Sequence, residues 1–200
     1  MHPSPPTETI HIRYLCTGAA RRLQLHGRSV LTGIGKQPRE GPVAVHRLGL
    51  DGDEQADLSV HGGLDKAVYA YPVAHYAFWQ AQRQAQGVSL FDEALPPGFV
   101  GENLGIDGPP EAAMFVGDTW HFADCVLRVT APREPCYKFS GVMGYAQAGR
   151  DMAAQGLCGC YLAVVQAGTL RAGEVGRVVP GQRALSIAQA LRAKWAKHRR

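Results

Sequence analysis

No stretch of this 200-residue chain approaches the roughly 20 apolar residues that a membrane helix needs, and Met1-His2-Pro3-Ser4-Pro5-Pro6 lacks the apolar core of a secretory signal. A membrane span is not expected, and a cytoplasmic location is. Internal repeats and low-complexity runs are absent too, which argues against a repeat architecture. Neither a GxGxxG nor a GxxxxGK[ST] run occurs, so standard dinucleotide and P-loop sites are unsupported. The five cysteines, at 16, 125, 136, 158 and 160, are an odd number without an export signal, so thiols are expected rather than a disulfide scaffold. Cys158 and Cys160 stand closer together than zinc-site cysteines usually do, and side-by-side packed thiols are the simpler reading. Acidic residues are missing from positions 191–200, which hold five of the 21 basic ones. Without that tail the body carries 16 basic and 17 acidic residues, so the net charge of +4 is no footprint for nucleic acid.

What is present suits one mostly β domain with peripheral helices. Hydrophobic residues make up 46% of the chain and charged ones 19%, enough apolar side chain for a core. The 24 glycines and 13 prolines are spread along the whole length, as short strands joined by many turns require. Strands are predicted over Ile10–Cys16, Val43–Leu48, Ala67–Tyr71, Trp120–Thr130 and Tyr161–Gln166, with Gly168 and Gly173 punctuating a meander that runs to Val179. A helix is predicted from Pro72 to about Gln86, stopped by Gly87 and lying on the barrel; a weaker one covers Gln147–Gln155. A last helix runs from Ser186, a candidate N-cap, to Lys197, with Ile187, Leu191 and Trp195 as its apolar stripe. The expected division is a barrel domain over 1–180, then a C-terminal helix and basic tail over 181–200.

Chemistry is concentrated in a few segments. In Pro132-Arg133-Glu134-Pro135-Cys136-Tyr137-Lys138 two prolines stiffen a loop, and a thiol stands between two cations that favour the thiolate needed by a nucleophile or metal ligand. A buried thiol acting as a small hydrophobe is the alternative at that position. The run His61-Gly62-Gly63-Leu64-Asp65-Lys66 combines paired glycines, which let backbone N–H groups approach a ligand, with donors for an anion; an ordinary turn between strands competes. Gly101-Glu102-Asn103-Leu104 and Gly117-Asp118 read singly as turns.

Their order along the chain is more specific. Together with Leu31-Thr32-Gly33-Ile34-Gly35-Lys36 and Gly49-Leu50-Asp51-Gly52-Asp53-Glu54-Gln55, these segments resemble the MOSC domain family, named from the C-terminal domain of molybdenum-cofactor sulfurases, and within it the bacterial YiiM-like group. The resemblance covers about residues 8–180. It implies a MOSC-type β-barrel that binds molybdenum cofactor in a cleft, with Cys136 as molybdenum ligand or sulfur-carrying catalytic residue. It also implies a reductase of N-hydroxylated compounds, hydroxylaminopurine-like, fed by a redox partner. The alternative is a carrier that holds the cofactor, or a persulfide on Cys136, without turnover.

In such a cleft Arg133, Lys138, Lys36 and Lys66 would neutralise the cofactor phosphate, and His61, Gly62, Gly63 and Asn103 would donate to its polar edge. Glu102 and Asp118 are the candidate proton relays. Two departures from the YiiM-like pattern bear on this. YiiM-like proteins often continue into a three-helix C-terminal extension, whereas this sequence stops at Arg200 after a single helix, so a partner contact made by that extension is not carried over; and Cys160 stands where an aromatic is common, which is expected to widen the pocket.

Overall fold

The computed structural model describes residues 8–25, 27–56, 62–90 and 93–197. Its strands in chain order are β1 (Thr9–Thr17), β2 (Arg21–Leu25), β3 (Arg28–Thr32), β4 (Gln37–Pro38), β5 (Val43–His46), β6 (Gly49–Leu50), β7 (Val68–Pro72), β8 (Leu104–Asp107), β9 (Thr119–His121), β10 (Val126–Pro132), β11 (Cys160–Gln166), β12 (Gly168–Leu170) and β13 (Val175–Val179). The helices are α1 (Tyr76–Ala85), α2 (Tyr137–Met143), α3 (Ala148–Gln155) and α4 (Ile187–Lys197).

Strands β13, β9, β10, β11, β7, β8 and β1 pair in that order, and β1 pairs back onto β13 through Ile10 and Gly176, so the sheet closes into a seven-stranded barrel. Closure removes the exposed edges that would otherwise invite pairing with another chain. All neighbours around the barrel run antiparallel except β7 and β8, which are parallel through Tyr71 and Gly105. A parallel pair needs a crossover, which here contains α1. Period-two alternation fills the interior: in β1 Ile10 and Ile12 point in while Thr9, His11 and Arg13 point out. Trp120, Leu127, Val129, Val68, Leu162, Leu104 and Ile106 complete the core. Outside the barrel, β12, β5 and β6 form a small sheet, and β2 and β3 a separate ribbon.

Each expected strand exists, but Trp120–Thr130 is two strands rather than one. The chain reverses at Phe122–Cys125, where the Phe122 N–H donates to the Cys125 carbonyl at 2.9 Å and β9 folds back on β10. The helix expected from Pro72 begins as a 3-10 turn over Val73–His75 before α1, and its Trp79 is fully buried against Phe139, with ring centroids 5.2 Å apart. The C-terminal helix docks as its apolar stripe requires, with Ile187 and Leu191 buried and Trp195 half-buried. Ser186 and Gln189 cap it reciprocally, the Gln189 N–H donating to the serine hydroxyl and the Ser186 N–H to the glutamine side chain.

Candidate functional site

At one end of the barrel, loops that follow β3 and precede β8 meet the segment that follows β10. They line a cleft open to solvent, with about 630 Å³ of space between their atoms including its open mouth. Thr32, Gly33, Ile34, Lys36 and Asp53–Ala56 line it together with Arg133, Cys136, Lys138, Tyr161, Lys66, Tyr69 and Asn103.

Strand β10 ends at Pro132, which sends Arg133 into the interior, where it is 3% exposed. Its guanidinium lies 4.6 Å from the centre of the Phe139 ring and 5.9 Å from that of Tyr69, and donates to the Met152 sulfur at 3.4 Å. Among the described residues no carboxylate lies within ion-pair distance of it. Burial opposes its charge, but the Tyr69 phenol and the Cys136 thiol favour it, and the balance lies above the ordinary arginine value. A buried cation held by aromatic faces and opening on a cleft is a receptor for an anionic group.

Cys136 sits three residues on, half-buried at the cleft, with extended backbone immediately before α2. The stiff loop expected over Pro132–Lys138 therefore turns into a helix at Tyr137, and Lys138 on its first turn also lines the cleft. The other four cysteines are fully buried and do not line it; burial pushes the thiols of Cys16 and Cys125 up to about 12, and raises those of Cys158 and Cys160 as well. Thiolate chemistry is thereby directed to Cys136. Cys160 does not widen the cleft as expected, because on β11 its side chain is 0% exposed in the core and the next residue, Tyr161, faces the cleft instead.

Lys36 is in the cleft wall but is not an unpaired cation. Its ammonium donates to both carboxylate oxygens of Asp53, at 2.6 and 2.5 Å, and the two side chains are 7% and 3% exposed. Asp53 also accepts the Gly18 N–H at 3.1 Å. The Lys36 N–H donates to the Gly98 carbonyl, and Gly98 has φ +79 and so little room that a Cβ there would lie 2.3 Å from the Lys36 carbonyl oxygen, which restricts the position to glycine. Lys66 closes the 3-10 turn Leu64–Lys66 and lies 5.5 Å from the centre of the Tyr161 ring.

Asn103 lines the cleft, yet its amide works as a clamp between strands, accepting the Tyr69 N–H at 3.0 Å and donating to the Cys16 carbonyl at 3.2 Å. Gly62 and Gly63 do not line the cleft, and the Gly63 N–H is taken by the Gln55 side-chain oxygen at 2.9 Å rather than left for a ligand. His61 lies outside the described residues. Glu102 is wholly buried behind the floor, where one carboxylate oxygen accepts hydrogen bonds from the hydroxyls of Tyr14 and Tyr76 and the Gly98 N–H, and the other has no partner among the described residues. Burial raises its pKa, against the lowering effect of those hydrogen bonds.

Asp118, the second candidate relay, does not reach the cleft. Its carboxylate accepts the Gly181 N–H at 2.8 Å and pairs with Arg183 at 3.1 Å, tying down the segment that leads to α4. Arg183 has φ +50, a left-handed conformation unfavourable for its side chain, and its ion pairs to Asp118 and Glu8 hold it there.

Asp53, Gln55, Tyr69 and Tyr161 were not foreseen as site residues. Asp53 and Gln55 fall in the Gly49–Gln55 run, whose turn-like composition hid one carboxylate aimed inward. Gln55 donates to the Leu48 carbonyl and accepts the Gly63 N–H, stapling the loops on either side of it. Among the described residues no group of three or more histidine, cysteine, aspartate or glutamate side chains converges as a metal site.

The fold is thus a closed β-barrel whose cleft is lined by one half-buried thiol and a buried arginine. The MOSC domain matches residues 57–176, and the chain belongs to that family. It is 33% identical over 174 residues to the Bacillus subtilis protein YflK, covering 87% of this chain and 72% of that protein. It is 30% identical over 184 residues to the Escherichia coli protein YiiM, covering 92% and 80%. A Gibberella moniliformis reductase is 30% identical over 173 residues, which are 84% of this chain and 30% of that longer protein. The crystal structure of YiiM from Geobacillus stearothermophilus superposes with a TM-score of 0.72 at 25% identity, covering 96% of this chain and 86% of that one. The barrel expected from the resemblance is therefore the barrel observed.

Proposed function

We propose that this MOSC protein binds molybdenum cofactor in the cleft and reduces N-hydroxylated small molecules, with electrons delivered by a redox partner. The observation that carries the reading is Arg133, buried, without a carboxylate partner among the described residues, and lining the same cleft as the one cleft-lining thiol. An anionic ligand of considerable size with a thiol-binding centre fits that donor set. Arg133 and Lys138 would hold its phosphate, the faces of Tyr69 and Tyr161 would flank its ring system, and Cys136 would ligate the metal. The bound group supplies the two-electron redox chemistry. The protein orients the substrate against it and screens the centre from bulk water, since Tyr69 and Tyr161 are nearly buried. The resemblance to YiiM-like proteins and the similarity to a protein named as a reductase support turnover.

Protein isolated from a host that makes the cofactor should contain molybdenum and pterin in equal amounts and, with a chemical reductant, convert an N-hydroxylated base to the amine. Cofactor without turnover would instead make the protein a carrier, and absence of both would overturn the proposal.

A further inference from the structure

The Lys36–Asp53 pair is not accounted for by anion binding. An ammonium already neutralised by a carboxylate attracts a phosphate weakly, and burying such a pair costs desolvation that its attraction only partly offsets. Both side chains nevertheless line the same cleft as Cys136. The geometry leaves one donor over. Two of the three ammonium N–H groups are used by the two oxygens of Asp53, and among the described residues the third has no partner. Lys138, by contrast, is half-buried on the first turn of α2 with no hydrogen bond or ion pair among the described residues, so nothing fixes its direction.

Resting on the reductase reading, we propose that Lys36 is the catalytic proton donor to the departing hydroxyl oxygen of the N-hydroxylated substrate, and that Asp53 is the positioning residue that aims it. The overall step consumes one N-hydroxyl group, two electrons and two protons, and yields the corresponding N–H amine and one water. The N–O bond breaks, nitrogen is reduced, the two electrons come from a low-potential external donor by way of the bound cofactor, one proton passes from the Lys36 ammonium to the leaving oxygen, and the other reaches nitrogen from solvent. A hydroxyl is a poor leaving group unless it is protonated as it departs, which a fixed acid in the cleft wall achieves.

Burial moves the Lys36 pKa below the ordinary lysine value, against the opposing effect of Asp53, which makes proton release easier than from an exposed lysine. The other titratable groups near enough to act on it are Glu102 and Cys16 on β1; each would favour its charge in ionised form, and burial disfavours that form in both.

The test uses cofactor-loaded wild type, Lys36→Met, Lys36→Arg and Asp53→Asn. Lys36→Met should lower kcat about a hundredfold with KM little changed and with molybdenum and pterin content intact. Lys36→Arg keeps the charge and the ion pair, but a guanidinium does not release its proton near neutral pH, so it should be as slow as Lys36→Met. Asp53→Asn removes the anion that stabilises the ammonium. Carbon-13 lysine NMR of the cofactor-free protein should then show Lys36 titrating at lower pH than in wild type, and the alkaline limb of kcat should move the same way. A wild-type rate in Lys36→Arg, or loss of cofactor from Lys36→Met, would show that charge or anchoring is the role and overturn the inference. Unchanged Lys36 titration in Asp53→Asn would overturn the part given to Asp53. If Lys36→Met fails to fold, Lys36→Arg decides alone. Absence of turnover in loaded wild type removes the reductase reading itself, whereas failure of these variants to behave as expected, with wild-type turnover intact, removes only the role of Lys36.

Discussion

Arg133 and Lys36 line one cleft, each less than a tenth exposed, yet their charges are met in opposite ways. Lys36 has its counter-ion inside the protein, whereas Arg133 has aromatic rings and a sulfur around it and, among the described residues, no anion. Since an uncompensated buried charge is costly, the contrast marks Arg133 as the side that a ligand completes and Lys36 as the side that is complete beforehand. The Asp118–Arg183 cluster outside the cleft extends the lesson. There too an internal pair neutralises a buried carboxylate, and its task is to hold the chain that leads into α4.

The strongest way to break this comparison is Cys136→Ser. It removes the one cleft-facing thiol, and an alcohol does not replace a thiolate, so molybdenum content and N-hydroxyl reduction should both be abolished with the fold retained. Metal analysis alongside circular dichroism checks this; equal metal content in variant and wild type would remove the ligand assignment. Next in size is Arg133→Gln, expected to weaken cofactor binding by about 1–3 kcal/mol through loss of a charge-assisted contact, and to weaken its dependence on salt. Titration of cofactor-free protein at two ionic strengths measures both.

Asp118→Ala sharpens the contrast from outside the cleft. Removing the acceptor of Gly181 and Arg183 should cost about 1–3 kcal/mol of stability in denaturant unfolding, while kcat and KM per folded molecule stay unchanged. A loss of kcat without a loss of stability would restore Asp118 as a relay.

The smallest effect is expected from Glu102→Gln. In the folded protein the Glu102 pKa is raised, so its contribution to stability is fully present below its unfolded pKa and declines as pH rises toward the folded value. Glutamine keeps an acceptor for the Tyr14 and Tyr76 hydroxyls and removes the titration. Unfolding free energies of variant and wild type, from denaturant titrations, should therefore differ by about 1 kcal/mol or less at acidic pH, with the variant gaining relative to wild type as pH rises. A variant that loses stability more steeply than wild type on the alkaline side would show Glu102 to be an ionised structural carboxylate.

Local patterns in the chain were enough to read the elements that alternate or repeat clearly. Ile10 and Ile12 in β1, Ile187 and Leu191 in α4, and Gly87 after α1 each state their role within a few residues, because strand and helix periods are set by the backbone. The ribbon of β2 and β3, the split between β9 and β10, and the helix starting at Tyr137 were less legible, since a short turn such as Phe122–Cys125 carries little pattern of its own. The motif around Cys136 and Arg133 could be read as chemical because two prolines, a thiol and two cations are adjacent in sequence. What sequence could not decide was how residues far apart meet. Whether Lys36 faces an anion, whether Glu102 and Asp118 reach the cleft, whether Gly63 keeps its N–H and which cysteines are accessible all depend on tertiary packing. Packing brings Asp53 to Lys36, Gln55 to Gly63 and the Tyr14 and Tyr76 hydroxyls to Glu102, and charge compensation acts through space over a few ångströms rather than along the chain.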